Sequence, residues 1–217
     1  MKVYAINGSP RKNKNTATLL QKALDGVKKS AKDKEVETEI INLYDLNYTG
    51  CKSCFACKRL GGASYGKCAV KDDIQEVLEK VSQADGLIFG SPIYLGTITG
   101  QLQSFLERLI FPYLVYDENY SSIAPRNMPT AFIYTMNAPE EVMNKLGYLK
   151  TFDRIESTIE NIFTKPLVMY SNNTYQFDDY SKYESSAFSE EAKAAHRKIQ
   201  FPLDCQKAFE LGANLIK

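Results

Sequence analysis

Two stretches of the chain carry residue types at spacings that can do chemistry. The first is Gly8-Ser9-Pro10-Arg11-Lys12-Asn13-Lys14-Asn15-Thr16, a small, polar, basic loop. It follows Val3-Tyr4-Ala5-Ile6, a run rich in β-formers that reads as a buried strand. A helical pattern comes next, and Asn15 or Thr16 can cap it by accepting from an orphan backbone N–H. Strand, basic loop and helix start together suit an anion, because first-turn amides point outward and the macrodipole favours negative charge there. The loop lacks the G-x-x-x-x-G-K-[ST] pattern of nucleotide-hydrolysing P-loops and the G-x-G-x-x-G of dinucleotide-binding folds. Its hydroxyls, amides and single arginine fit a terminal phosphate monoester. A tight strand–helix turn with incidental lysines is the plainer reading of the loop taken by itself.

The second stretch holds Cys51, Cys54, Cys57 and Cys68. Three readings are open for it. Thiolates at such short intervals can wrap one iron–sulfur cluster. Four thiolates can bind zinc. The thiols can also carry no metal. Lys52, Lys58, Arg59 and Lys67 lie among them, and would either offset thiolate charge or form a solvated loop. Cys205 stands alone in the last helical stretch and reads as a small buried hydrophobe. His196 is the only histidine, on a charged helical stretch, and is expected at the surface. That leaves no Ser-His-Asp or Cys-His machinery in its usual form and no histidine-built metal site. Asp178-Asp179 and Glu190-Glu191 read as polar surface and a helix start, and no carboxylate pair suggests glycoside hydrolysis. A chain so short of acid–base groups points to a cofactor that carries its own chemistry.

A length of 217 residues fits one domain with room for a five-stranded sheet covered on both faces. Lys and Arg number 27 against 26 Asp and Glu, a net charge of +1. Nucleic acid or an anionic membrane as main partner would call for a strong positive excess, so neither is expected. No apolar run is long enough for a transmembrane helix, and the N-terminus enters a strand without a signal-peptide pattern. The expected location is cytoplasmic, where cysteines stay as thiols or metal ligands.

The elements that must position these residues follow from periodicity. Leu19, Leu20, Ala23, Leu24 and Val27 predict a helix from Thr16 to about Asp33, with a lysine-rich tail from Lys28 to Lys34. Glu35 to Leu43 alternates charged and apolar residues, as a strand with one wet face does at a sheet edge. Ile74, Val77, Leu78 and Val81 predict a helix capped by Asp72-Asp73 and running to about Gln83. Asp85 to Pro92 is the clearest central strand, its apolar core ending abruptly in Gly90-Ser91-Pro92. A helix is expected from Thr97 to about Phe111, a strand from Pro129 to Met136, and a helix from Glu140 to about Phe163 with a break at Gly147. Pro166 to Tyr170 is a last strand, and Glu190 to Lys217 a terminal helix interrupted at Pro202. The alternation implies a parallel sheet with right-handed crossovers. Ligands in such sheets bind outside the strands' carboxyl ends, where the loops after strands one, three and four converge.

Asn7-Gly8-Ser9-Pro10-Arg11 with Asn15-Thr16, then Phe89-Gly90-Ser91-Pro92-Ile93-Tyr94, resembles the NAD(P)H-dependent FMN reductase branch of the flavodoxin superfamily. Cys51-x-x-Cys54-x-x-Cys57…Cys68-x-x-x-Asp72-Asp73 is similar to the iron–sulfur flavoproteins of that branch, although the Lys58–Lys67 span is longer than their compact spacing. The resemblance covers Met1 to about Tyr170. It implies an α/β flavodoxin-like three-layer sandwich, a five-stranded parallel sheet in the order 2-1-3-4-5, in one domain over residues 1–217. A cysteine-rich loop at about 50–70 and tyrosine-rich insertions at about 113–128 and 171–189 would complete it. It also implies bound FMN. Ser9, Arg11, Asn15 and Thr16 would hold the phosphate; Pro92, Ile93, Tyr94, Leu95 and Gly96 would line the flavin ring, with Thr135 nearby. Cys51, Cys54, Cys57 and Cys68 would ligate a 4Fe-4S cluster if one is present. The implied activity passes reducing equivalents from NAD(P)H through FMN to a quinone, flavin, nitro or azo compound, or redox protein. Homodimers or homotetramers are expected, the tyrosine-rich segments burying against a second subunit, lidding the flavin or covering one end of the monomer. The rivals are a flavodoxin-like electron carrier without turnover, which near-zero charge disfavours, and a regulatory or structural domain that has lost FMN.

Overall fold

The computed structural model describes residues 1–32 and 35–217. Five parallel strands form the sheet: β1 (Lys2–Asn7), β2 (Glu37–Asn42), β3 (Gly86–Pro92), β4 (Thr130–Thr135) and β5 (Leu167–Ser171). Their order is β2-β1-β3-β4-β5, the flavodoxin-like order expected from the sequence. The three inner strands are buried on both faces and read as continuous apolar runs, whereas β2, at the edge, exposes Glu37 and Glu39.

Alternation along the strands builds two cores. Tyr4, Ile6, Leu87, Phe89, Phe132 and Tyr134 face the helices α2 (Ile74–Ser82), α3 (Gly100–Ile110) and α5 (Tyr148–Glu160). Val3, Ala5, Ile88, Ala131 and Ile133 face α1 (Asn15–Ser30) and α6 (Glu190–Leu215). An aromatic stack crosses the first core: Phe132 on Tyr134 at 4.1 Å and Tyr134 on Phe152 at 4.3 Å.

Several boundaries differ from the sequence reading. Helix α1 starts at Asn15 with Lys14 as its N-cap and no side-chain cap, so neither Asn15 nor Thr16 caps it. The expected end at Asp33, with Lys34, lies outside the described residues. Asp72 and Asp73 do not cap α2 through their carboxylates. Asp73 accepts from Asn47 N (2.8 Å) and Asp72 is drawn to Arg108. Helix α3 starts three residues late, because the Thr99 hydroxyl accepts from Leu102 N (3.3 Å) and fixes the start. The break expected at Gly147 is present: at φ 70° it divides the segment into α4 (Glu140–Lys145) and α5. Pro202 does not interrupt α6, which runs through it while packed along α1.

That packing is backbone to backbone. A Cβ added at Gly212 would lie 1.8 Å from Ala23 O, and one at Gly26 would lie 1.9 Å from Phe209 O. Only two glycines at the crossing let α6 approach so closely. We expect Gly212→Ala to force the helices apart and lower unfolding free energy by at least about 1–3 kcal/mol. Urea denaturation checks this, and an unchanged midpoint would refute the close crossing.

Candidate functional site

The loop after β1 is folded by its own polar groups. Asn7, buried at the strand end, donates from Nδ2 to Asn42 Oδ1 (2.9 Å) and accepts from Ser9 N (3.0 Å) at its Oδ1. The Ser9 hydroxyl then accepts from Arg11 N (3.2 Å). Gly8 is held between two elements: its N–H donates to Gly90 O (2.8 Å), and its carbonyl accepts from the Thr99 hydroxyl (2.8 Å). A Cβ at Gly8 would stand 2.9 Å from Leu102 Cβ, so the close approach requires glycine. The loop delivers the chain to the N-terminus of α1 with no side chain capping its amides, the electrostatic arrangement that attracts an anion.

The other walls come from the remaining strand ends. Ser91 is buried; its hydroxyl accepts from Thr99 N (3.1 Å) and donates to Pro92 O (2.8 Å). Ile93 N reaches Thr135 O (2.9 Å). Tyr94 and Thr97 exchange backbone bonds around a turn in which Leu95 and Gly96 both have positive φ, 51° and 82°. Burial pushes the Tyr94 phenol above its ordinary pKa, although the ring keeps an exposed edge. The hydroxyls of Thr16 and Thr135 pair at 2.8 Å, both buried, and tie α1 to β4.

Ser9, Arg11, Asn15, Thr16, Pro92, Ile93, Tyr94 and Thr135 line one cleft at the carboxyl end of the sheet. Leu95 and Gly96 do not line it. They form the tip of the loop after β3, where Leu95 is fully exposed and Gly96 lies against the Tyr148 ring.

The sequence reading missed the opposite wall, built by the segment after β5. Arg11 Nη1 donates to Gln176 O (2.6 Å), Asn15 Nδ2 to Tyr175 O (3.0 Å), and Lys14 pairs with Asp178. Thr174 and Gln176 line the cleft there. Helix α6 fastens this wall. Arg197 Nη1 donates to Asn15 Oδ1 (2.6 Å); the buried Lys193 Nζ donates to Asn173 Oδ1 (2.7 Å) and Asn137 O (3.2 Å). Burial holds the Lys193 ammonium below its ordinary pKa. Its place in a charged stretch hid it; the helical spacing Lys193–Arg197 was the available signal. His196 is half-buried, in a cavity that Ser171 and Asp204 also line, and its Nε2 has no partner among the described residues. Cys205 is only partly buried, at the rim of the second core.

The cysteine loop makes a second cavity, on the α3 side. Cys51, Cys54, Cys57 and Cys68 all line it, with Phe55, Glu107, Arg108 and Phe111. Ser53 and Phe55 take positive φ, 52° and 54°, and Gly66 N closes the longer span onto Cys57 O (3.0 Å). All five cysteines are free thiols. Among the described residues, no three His, Cys, Asp or Glu side chains converge on a single-ion position. Burial raises the Cys57 thiol pKa, with Lys58 opposing it. Lys58 itself donates to the carbonyls of Phe111 and Leu114 and lies 4.3 Å over the Phe111 ring. Cys51 N donates to Glu107 Oε2 (3.1 Å), and Arg108 Nε to Cys68 Sγ (3.3 Å). Arg108 was also missed, though a charged residue inside the stripe Leu102, Phe105, Leu106, Leu109 marks a buried partner.

Parallel order, switch point and an uncapped helix end opening on a cleft define a doubly wound, flavodoxin-like protein. Residues 1–147 match the family of NADPH-dependent FMN reductases, and the chain belongs to that family. It is 40% identical over 108 residues to an iron–sulfur flavoprotein of Methanocaldococcus jannaschii, covering 50% of this chain and 51% of that protein. It is 43% identical over 108 residues to one of Archaeoglobus fulgidus, covering 50% and 48%. The chain spans about half the length of the curated relatives it matches. An NAD(P)H:quinone oxidoreductase from Methanothermobacter marburgensis superposes with a TM-score of 0.71 at 14% identity, over 100% of this chain and 98% of that one. An FMN-dependent NADH-azoreductase from Bacillus anthracis gives 0.68 at 12%, over the whole of both chains. These two likenesses show the fold. No helix among the described residues is long and apolar enough to cross a membrane.

Thr135→Val keeps the shape of β4 and strands the Thr16 hydroxyl. A loss of about 1–3 kcal/mol in unfolding free energy is expected, and chemical denaturation measures it. An unchanged value would mean that the buried pair does not tie α1 to β4.

Proposed function

We propose that the chain is an FMN-dependent oxidoreductase, one domain over residues 1–217, that takes reducing equivalents from NAD(P)H and passes them to an acceptor. A quinone, a free flavin, a nitro or azo compound, or a redox protein would serve as that acceptor. The observation that carries this reading is the cleft where the uncapped N-terminus of α1 meets the loops after β1, β3 and β4. Family membership supports it, as do the neighbours described as a quinone oxidoreductase and an azoreductase.

The donor set suits the cofactor. Arg11 spends one of its five donors on Gln176 O and keeps the rest for a phosphate. Ser9, Arg11, Asn15 and Thr16 would hold that phosphate, the last two through the backbone of the first turn, because their side chains are already engaged. Pro92, Ile93 and Tyr94 would line the ring, Leu95 and Gly96 would shape the loop over it, and Thr135 would close the floor. When bound, FMN supplies the hydride chemistry at its N5. The residues' part is to orient the ring and keep one face open to nicotinamide and acceptor in turn.

The cysteine cavity is the proposed seat of a 4Fe-4S cluster. Cys51, Cys54, Cys57 and Cys68, which line one cavity, are the donor set such a cluster would take. Four thiols are also a donor set that zinc takes, so the choice between the two rests on the relatives. The names of the iron–sulfur relatives support the cluster. We further propose a homodimer or homotetramer, supported by the edge-to-face row Phe55, Phe111, Tyr116 and Tyr120, exposed except at the half-buried Phe111. A cytoplasmic location suits five unpaired thiols.

Arg11→Ala, at an exposed position, is expected to weaken FMN binding about 10- to 100-fold, since a charge-assisted hydrogen bond contributes about 1.5–3 kcal/mol. Flavin fluorescence titration measures it, alongside steady-state NAD(P)H oxidation. Wild-type affinity in the variant would sink the phosphate assignment; bound FMN without turnover on any acceptor would make the protein an electron carrier.

A further inference from the structure

Among the described residues, Arg108 is the one charged side chain sealed within the α3 face of the core, its guanidinium wholly inaccessible. A guanidinium has five N–H donors in a rigid fork, and each of these has a partner. Nε donates to Cys68 Sγ at 3.3 Å. Nη1 donates to Asp72 Oδ2 (2.5 Å) and Thr49 O (3.2 Å). Nη2 donates to Asp72 Oδ1 (2.9 Å) and Val70 O (3.0 Å). Thr49 stands just before the first cysteine, and Cys68, Val70 and Asp72 come at the end of the loop. One side chain therefore pins both ends of the cysteine segment, and its neighbour Glu107 pins Cys51 through the backbone.

We propose that Arg108, backed by Asp72, is the positioning residue of the cysteine cavity: it sets Cys68 as the fourth ligand of the cluster and raises the cluster's reduction potential through its N–H···S bond. The proposal rests on the cluster reading given above. It explains how the long Lys58–Lys67 span is tolerated, since the place of Cys68 comes from α3 and not from its distance along the chain to Cys57. Asp72 compensates the arginine charge, so a directed hydrogen bond, not a bare cation, meets the sulfur. Such a bond draws electron density from a ligating sulfur and favours the reduced cluster.

The test compares full-length wild type, Arg108→Lys and Asp72→Asn after anaerobic reconstitution with iron and sulfide. Iron and acid-labile sulfide content and EPR-monitored potentiometry are read, with FMN content reporting folding. Arg108→Lys keeps the charge but not the fork. Its cluster retention should fall about 10-fold or more, and its residual cluster should have a lower midpoint potential. Asp72→Asn leaves the guanidinium uncompensated beside Cys68 and should shift the potential upward. Opposite shifts would not arise from a merely structural ion pair. Wild-type content and potential in Arg108→Lys, or shifts of the same sign in both variants, overturn the inference alone. A wild-type protein that takes up no iron and sulfide overturns the cluster reading and the inference with it.

Discussion

The Gly8 peptide is the constraint on which both cavities depend. Its N–H is bound by β3 and its carbonyl by the hydroxyl that starts α3. No side chain fits between them. With that peptide fixed, the loop after β1 has one path to the start of α1, and α3 has one starting point. The cleft at the start of α1 lies on the first side of this junction. The cysteine cavity lies at the far end of the helix that leaves from the second, where Glu107 and Arg108 meet the loop.

The region beyond the family match shapes the site as much as the matched core does. Family similarity covers residues 1–147, yet the wall facing the basic loop comes from residues 172–178 and is held by α6. The glycine crossing of α1 and α6 lets Arg197 reach Asn15 across two helices. Arg11 and Lys14, loose surface cations by sequence, are oriented by carbonyl and carboxylate groups far along the chain.

The sheet order, the helices and most of the cleft were legible in the sequence, for physical reasons that are local. Buried parallel strands write continuous apolar runs, and Gly8-Ser9-Pro10 marks where β1 hands over to its loop, whereas β3 runs on through its own Gly90-Ser91-Pro92. What stayed hidden was long-range. Asp72 reads as a helix cap by position, but a buried guanidinium draws its carboxylate more strongly than helix amides do. Asn15 and Thr16 read as free phosphate donors, but their side chains are engaged by Tyr175, Arg197 and Thr135. Leu95 and Gly96 are placed at the ring by the resemblance, but the turn they form carries them out of the cleft lining. Pro202 reads as a break, and tertiary packing along α1 overrides it.

Helix α3 has a consequence for how this protein can vary. Thr99 meets the basic loop and Arg108 meets Cys68, nine residues later, an interval of about 14 Å along the axis. Inserting one residue between them would rotate the guanidinium by about 100° and turn it out of the cysteine cavity. Surface loops such as 58–67 can drift in length at small entropic cost. The helix between the two cavities is locked in phase, so natural variation should accumulate beside it and never within its length.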